Sequence, residues 1–301
     1  MRMREGKDLP PSNLWIHSPY DEDVRYGIKR STNWAGYKVH LTETCDPDPD
    51  SVHLITQVQT TTATEGDVTQ VREIQTELKA KGLAPKTHLV DAGYTSAEEF
   101  VTSQRERGIE LLGPIREDHQ WQARQAQAQG PAEQGYGLAS FKIDWEHKRV
   151  TCPQGKPSRY WKPGQDICGR ATVKAVFHAS DCESCAVRSL CTHSEKGPRS
   201  ITFRERAEHE APQEVRQRQR TAEFKAAIDV RAGVEGTMSQ GVRSFELRQT
   251  RYIGLARTHL QHILTAVAMN IVRLVAWWQG TKHSRTRISH FAALAPALAA
   301  A

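Results

Sequence analysis

Between Gly36 and Ile115 the spacing of apolar residues switches repeatedly between period two and a helical period, which restricts this part of the chain to a fold mixing strands and helices. Gly36-Tyr37-Lys38-Val39-His40-Leu41 alternates, placing Tyr37, Val39 and Leu41 on one face. His53 to Thr60 is a second β-type run, and the turn-rich Asp46-Pro47-Asp48-Pro49-Asp50 between the two suggests an antiparallel pair. Val68, Val71, Ile74, Gln75 and Leu78 follow helical spacing, with Lys81-Gly82 and Pro85 as the stop. A short apolar strand runs from Thr87 to Val90. Ser96-Ala97-Glu98-Glu99 is a capping-box pattern that opens a helix reaching about Arg107, followed by a strand over 109–115. Hairpin, helix, strand, helix, strand describes a mixed α/β sheet.

The flanking texture divides the rest of the chain. Residues 1–35 read as an irregular N-terminal segment ahead of the core part at 36–116. Residues 117–139, rich in Gln, Ala and Gly with no sustained apolar period, read as a linker. Residues 140–204 hold five of the six cysteines and short aromatic β-like pieces, which marks a cysteine-bearing insertion. Residues 205–279 are helical in pattern, and residues 280–301 form a tail. The last helix carries Leu260, Ile263, Leu264, Val267, Ile271, Leu274, Val275 and Trp278 on one stripe, expected to face the core.

With 38% apolar residues in 301 the chain can bury a full core, and its formal net charge of +6 favours anionic partners. The N-terminus lacks the apolar segment of a signal peptide. Ile263–Trp278 is interrupted by Asn270 and Arg273 and is expected to fall short of a membrane span. A cytoplasmic protein without a membrane partner is the default expectation. No Walker loop, dinucleotide fingerprint or nucleophile elbow is present.

Three features could carry chemistry. Asp91 follows the strand Thr87–Val90, at the carboxyl end where ligands of open α/β sheets bind, although a turn-stabilising aspartate reads the same way. Glu235 lies seven residues from Ile228, on or beside the apolar stripe of Phe224, Ile228, Val234 and Met238, so a semi-buried acid is expected. Arg231, four residues earlier, could pair with it, and Gly233 and Gly236 beside it suggest close approach by a large partner. Between residues 215 and 260 nine Lys or Arg stand against four acids. Arginine suits phosphate because its planar fork donates two hydrogen bonds, although such runs are often solvated helix faces. His259 and His262, three apart, could touch metal or DNA, or simply pack.

Asp91-Ala92-Gly93-Tyr94 after a strand, Gly36-Tyr37-Lys38-Val39-His40, and Arg231-Ala232-Gly233-Val234-Glu235 with downstream Arg243 and Arg251-Tyr252-Ile253-Gly254 together resemble bacterial insertion-sequence transposases of the DDE type. The resemblance runs from about Ser18 to Trp278. It implies a ribonuclease-H-like α/β core, with a mixed sheet, flanking helices and an inserted cysteine-containing subdomain, in which two aspartates and a glutamate hold two magnesium or manganese ions. Asp91 would be the second acid, Glu235 the third, and Arg231 the arginine preceding it. Arg243, Arg248, Arg251 and Arg257 would face DNA, and a homodimer is compatible with this family. Ile228 stands where the family has a tyrosine, and Arg243 matches the usual basic residue one place late. The first aspartate belongs upstream of the Gly-Tyr-Lys-Val-His strand. Asp21 and Asp23 are acidic there but sit in a polar, turn-like segment, so the resemblance implies a carboxyl-terminal fragment whose core is incomplete at its N-terminus, inactive alone or reduced to DNA binding.

The cysteines form a separate constellation. Cys182-Glu183-Ser184-Cys185, Cys191 and Cys152 could supply four thiolates to a structural zinc, with Cys168 or His193 able to replace a ligand. Reduced thiols in a small insertion, or a zinc-stapled interaction module, are the alternatives.

Overall fold

The computed structural model describes residues 8–11, 14–29, 31–46, 48, 50–116, 121–122, 135–194, 197–231 and 233–281. The chain divides into two units, Met1–Glu65 with Val230–Ala301, and Gly66–Asp229. Most of the expected linker and nearly all of the tail lie outside the described residues.

In the first unit, β1 (Arg25–Lys29), β2 (Thr32–Glu43) and β3 (Ile55–Thr62) form an antiparallel meander in that order. The pairing of β2 with β3, Val39 opposite Thr60, is the one the two alternating runs suggest. Residues 25–29, inside the stretch expected to be irregular, form β1 by pairing antiparallel with β2, with Tyr26 opposite Ala35. Helices α7 (Gly233–Ser244) and α8 (Leu255–Trp278) complete this unit.

The start of α8 is set by two acids more than 200 residues away in sequence. Gly254 has φ +93°, a conformation open to glycine. Its amide donates to Asp21 Oδ2 (3.0 Å), and the Leu255 amide donates to Asp23 Oδ2 (2.9 Å). The orphan donors of the first turn are thereby satisfied by negative charge where the helix dipole favours it.

The buried face of α8 differs from the expected one. Thr258, His262, Ala266, Met269 and Arg273 are buried, whereas Leu260, Leu264, Val267, Ile271, Leu274, Val275 and Trp278 are exposed. The cause is polar complementarity with β3 and the strand ends. Thr60 Oγ1 lies 2.8 Å from His262 Nδ1 and 3.1 Å from His259 Nδ1. Asn270 accepts from the Ile55 amide and donates to the Ile55 carbonyl, each at 2.9 Å, as a neighbouring strand would. Ile55, Ala266 and Met269 fill the small core between these bonds, with Leu41, Val58 and Phe245 against them. Contrary to the sequence expectation, Leu255–Trp278 is long and apolar enough to cross a membrane by length and composition. Asn270 and Arg273, read as interruptions, belong to its buried face.

In the second unit, β4 (Thr87–Leu89) pairs in parallel with β5 (Glu110–Leu112). Helix α1 (Gln70–Ala80) and helix α2 (Ala97–Thr102), prolonged by a π-turn over Ser103–Arg107, connect and cover them. Ser96 caps α2 as its sequence pattern requires, accepting from the Glu99 amide at 3.1 Å. Val71, Val90 and Leu111 form the local core. The π-turn brings Arg107 onto Glu99 at 2.7 Å, with both side chains buried. Further along, β6 (Lys142–Asp144) and β7 (Arg149–Thr151) make a hairpin, and β8 (Tyr160–Gln165), β9 (Ala171–Val176) and β10 (Ser200–Phe203) make an antiparallel sheet in the order β10-β9-β8. Phe141, Val150, Val173, Ala175, Phe177, Ile201 and Phe203 bury one cluster within this region. Short helices α3 (Ala179–Glu183) and α4 (Arg188–Cys191), then α5 (Arg206–Arg218) and α6 (Ala222–Val230), follow the chain toward the unit boundary.

Two histidines, one in each unit, are held furthest from their charged form. His88 on β4 and His262 on α8 are both held down to about 4, His88 by burial and His262 by burial and then by neighbouring His259. The unfolded rings titrate near ~6.5, so each contribution is present in full above that pH and is lost as pH falls toward about 4, at up to ~1.4 kcal/mol per pH unit. Denaturant unfolding of the full chain from neutral pH downward should show this decline, and His262→Gln should make the pH slope shallower.

Candidate functional site

Asp91 is delivered by β4. The Val90 amide donates to the Leu112 carbonyl at 2.9 Å, carrying the parallel pairing one residue past the strand, and Val90 itself is buried. The chain then turns, closed by the Tyr94 amide on the Asp91 carbonyl (2.9 Å), which leaves the Asp91 carboxylate exposed. Its Oδ1 accepts from the Ala92 amide at 2.6 Å. Gly93 permits a second carboxylate beside the turn, since a Cβ there would stand 3.1 Å from Asp67 Oδ2. Burial raises the Tyr94 hydroxyl above its ordinary range, and Asp67 and Asp91 raise it further. Asp67 went unnoticed in the sequence because only the fold brings the start of α1 to this turn.

Glu235 is exposed and not semi-buried, with 76% of its side-chain surface open. The expected register with Ile228 fails because the helix breaks: α6 ends at Val230, Arg231 lies in a turn, and α7 begins at Gly233. Glu235 therefore sits in the first turn of a new helix, where a carboxylate suits the dipole, with Arg231 Nη2 at 4.0 Å. A Cβ on Gly236 would meet nothing within 4 Å, and one on Gly233 would stand 3.7 Å from Glu43 Oε1. The two glycines thus do not mark a packed strand. Asp91 belongs to the second unit and Glu235 to the first.

Two residues after Glu235, Thr237 enters a buried network that fixes α7. Arg273 Nη1 donates to Glu43 Oε2 and to the His53 carbonyl, each at 2.9 Å, and Nε donates to Gln240 Oε1 at 3.0 Å. Thr237 Oγ1 donates to Glu43 and accepts from Arg273 Nη2. The Arg273 and Glu43 side chains keep only 9% and 3% of their surface exposed. Neither residue stood out in the sequence as more than a charge at the end of a strand or within a helix.

The remaining arginines of interest gather in the first unit. Arg243 in the last turn of α7, Arg248 in the connection and Arg257 in the first turn of α8 are exposed. Arg251 is exposed as well and pairs with Glu246 at 2.6 Å. Arg231 is half-buried. Asp21 and Asp23, the candidates for the first acid, are engaged elsewhere. Asp21 accepts from the Tyr37 hydroxyl at 2.8 Å on both oxygens, in addition to the bond from the Gly254 amide. Burial alone would raise its carboxyl, but hydrogen bonds from Gly254, Tyr37, Asp23 and Val24 hold it below the ordinary carboxylate range. His259 and His262 share Thr60, which makes them packing residues.

Cys152, Cys182, Cys185 and Cys191 line one cavity in the second unit. Burial pushes the Cys191 thiol up, Arg199 pulls it down, and Cys182, Cys152 and Cys185 push it further up. Of the two substitute ligands, Cys168 lies in the exposed β8–β9 turn, and the His193 ring stacks on Trp121 at 3.8 Å between centroids. Among the described residues, no three Cys, His, Asp or Glu side chains are close enough together to hold a metal ion.

Residues 151–275 match the family described as Transposase DDE domain. Over this stretch the chain is similar to the DDE transposases. The matched segment runs from the end of β7 through the cysteines, Arg231, Glu235 and the exposed arginines into α8, and Asp91 precedes it. No curated protein and no solved structure matches the chain. A transposase domain implies DNA as its partner and transposition, a form of DNA recombination, as its process.

The network under Glu235 has a measurable consequence. Arg273→Ala would strand the Glu43 carboxylate in a buried site and should destabilise the chain by about 3–5 kcal/mol in urea unfolding. Glu43→Leu combined with Arg273→Met should recover much of that loss. A double variant as unstable as the single would show that packing, not charge pairing, sets the cost.

Proposed function

We propose that this chain is a transposase that cleaves and joins DNA strands at transposon ends by metal-assisted phosphoryl transfer, with Asp91 and Glu235 as metal-binding acids. The observation that carries this reading is Glu235, an exposed carboxylate in the first turn of a helix braced from beneath, with Arg243, Arg248, Arg251 and Arg257 exposed in the same unit and inside the matched segment.

The donor chemistry of the two acids suits a hard cation. Both offer carboxylate oxygens, the ligand type magnesium and manganese prefer, and both are open to solvent and substrate. Asp21 and Asp23 start α8 and brace Tyr37, so a third acid is not supplied by either of them. Magnesium, when bound, would polarise the scissile phosphate and stabilise the departing oxygen. The chain's own share of the work is positional. Glu43, Thr237 and Arg273 hold the helix carrying Glu235, and the parallel β4–β5 pair fixes the turn carrying Asp91. Arg243, Arg248 and Arg257 would contact the DNA backbone, each displacing condensed counterions.

A second reading, DNA binding without chemistry, is favoured by the ties of Asp21 and Asp23 to α8. One assay separates the two. Purified full-length chain with transposon-end DNA should nick it in a magnesium-dependent manner, and Asp91→Asn or Glu235→Gln should abolish nicking while leaving retention in a gel-shift assay intact. Nicking that persists in both variants overturns the assignment of the acids, and wild-type binding with no nicking establishes the second reading. Affinity should fall as salt rises, and each of Arg243→Ala, Arg248→Ala and Arg257→Ala should make the slope of log affinity against log salt shallower by about 1.

A further inference from the structure

We propose that Cys152, Cys182, Cys185 and Cys191 bind one structural zinc ion that staples the region between β6 and β10. The proposal is independent of the DNA chemistry and rests on how three separate pieces of chain converge. Cys152 follows β7, Cys182 lies on α3 with Cys185 just past its end, and Cys191 closes α4. All four line a single cavity of about 40 Å³, whose other walls include Phe141, Phe177 and Val187. The two other cysteines, Cys45 and Cys168, are exposed and lie elsewhere.

The surroundings of the sulfurs are those a thiolate cluster needs. The Lys156 amide points at Cys152 Sγ and the Arg199 amide at Cys182 Sγ, each at 3.4 Å. Amide donors of this kind orient metal-bound sulfur and spread its charge. Four thiolates on a divalent ion leave a net charge of about −2, which requires cations nearby. Lys156, Arg188 and Arg199 line the same cavity. The Arg199 Nε is buried and finds no hydrogen-bond partner among the described residues, an orphan donor that an adjacent anionic cluster would compensate electrostatically.

Softness of the donor set selects zinc over magnesium or calcium. The four thiols surround the cavity without meeting at ligating distance of one point, so binding would draw α3 and α4 toward Cys152 until the sulfurs stand about 2.3 Å from the ion. Each thiol that ligates gives up its proton to solvent, and no electron is transferred. The local benefit is clear from the core, which consists of short strands around one aromatic cluster. Modules with so little apolar interior commonly depend on a metal or a disulfide.

Metal analysis of the full chain, purified without chelator, tests this directly and needs no DNA. One zinc per chain is expected, retained in Cys45→Ser and Cys168→Ser and lost in Cys182→Ser and Cys191→Ser. Because a ligand variant could lose zinc merely by unfolding, metal-free wild-type chain is also titrated with cobalt(II). Intense visible bands of tetrahedral thiolate cobalt, bleached by equimolar zinc, are the expected result. The proposal is overturned by a wild-type chain that takes up neither metal, by zinc content unaffected by Cys182→Ser and Cys191→Ser, or by mass analysis showing these cysteines joined as disulfides in freshly purified protein.

Discussion

The buried ion pair between Glu43 and Arg273 is the constraint on which the first unit depends. It joins the end of β2 to α8, and through Thr237 and Gln240 it takes hold of α7. A buried pair of this kind contributes little net free energy over an apolar substitute, because desolvation offsets much of the Coulomb attraction. Its effect is directional: the guanidinium donates to three separate segments, and only one placement of α7 satisfies all of them. That matters for a helix carrying Gly233, Gly236 and Gly241, since glycine within a helix costs about 1 kcal/mol relative to alanine. Helix α7 persists through its tertiary bonds more than through its own propensity, and Glu235 inherits its position from them.

The same logic decides which way α8 faces. A hydrophobic stripe normally seeks the core, yet here the large apolar residues are exposed and a seam of Thr258, His262, Asn270 and Arg273 meets the sheet. Hydrophobic burial has no direction, whereas a hydrogen bond to the Ile55 backbone or to Thr60 specifies a partner and an angle. Where a helix carries both, unpaired polar groups against β3 would cost more than an apolar face left in water. Acids act in the same way at the other end of the helix, where Asp21 and Asp23 fix its first turn.

Legibility in the sequence follows the range of the interaction. The β2–β3 pair, the capped helix at Ser96, the strand before Asp91 and the four cysteines around one cavity were readable, because local periodicity, a tripeptide or a short spacing determines them. The burial of Glu235 was misread because a heptad count ran through the break after Val230, where Arg231 lies in a turn and a new helix begins at Gly233. Asp21, Glu43, Asp67 and the true face of α8 were opaque for a different reason. Each is defined by a partner that only the fold brings near, most of them across some 200 residues of chain, and a polar residue gives no sign in sequence of whether its partner is water or protein.

This difference supplies a physical criterion for sorting the acids of such a chain. Asp21, Asp23, Glu43 and Glu99 receive amide, hydroxyl or guanidinium donors in fixed geometry within the protein. Replacing such donors with a metal would mean dismantling the fold around them. Asp91 sits in a turn after a paired strand and Glu235 in a helix, yet their carboxylates have only a neighbouring amide and an arginine at 4.0 Å as described partners. An acid presented rigidly and left with unsatisfied charge is prepared to bind a cation at little cost in reorganisation. By that measure the acids proposed to bind metal are set apart by how little of their charge the fold itself consumes, and not by the burial first expected of Glu235.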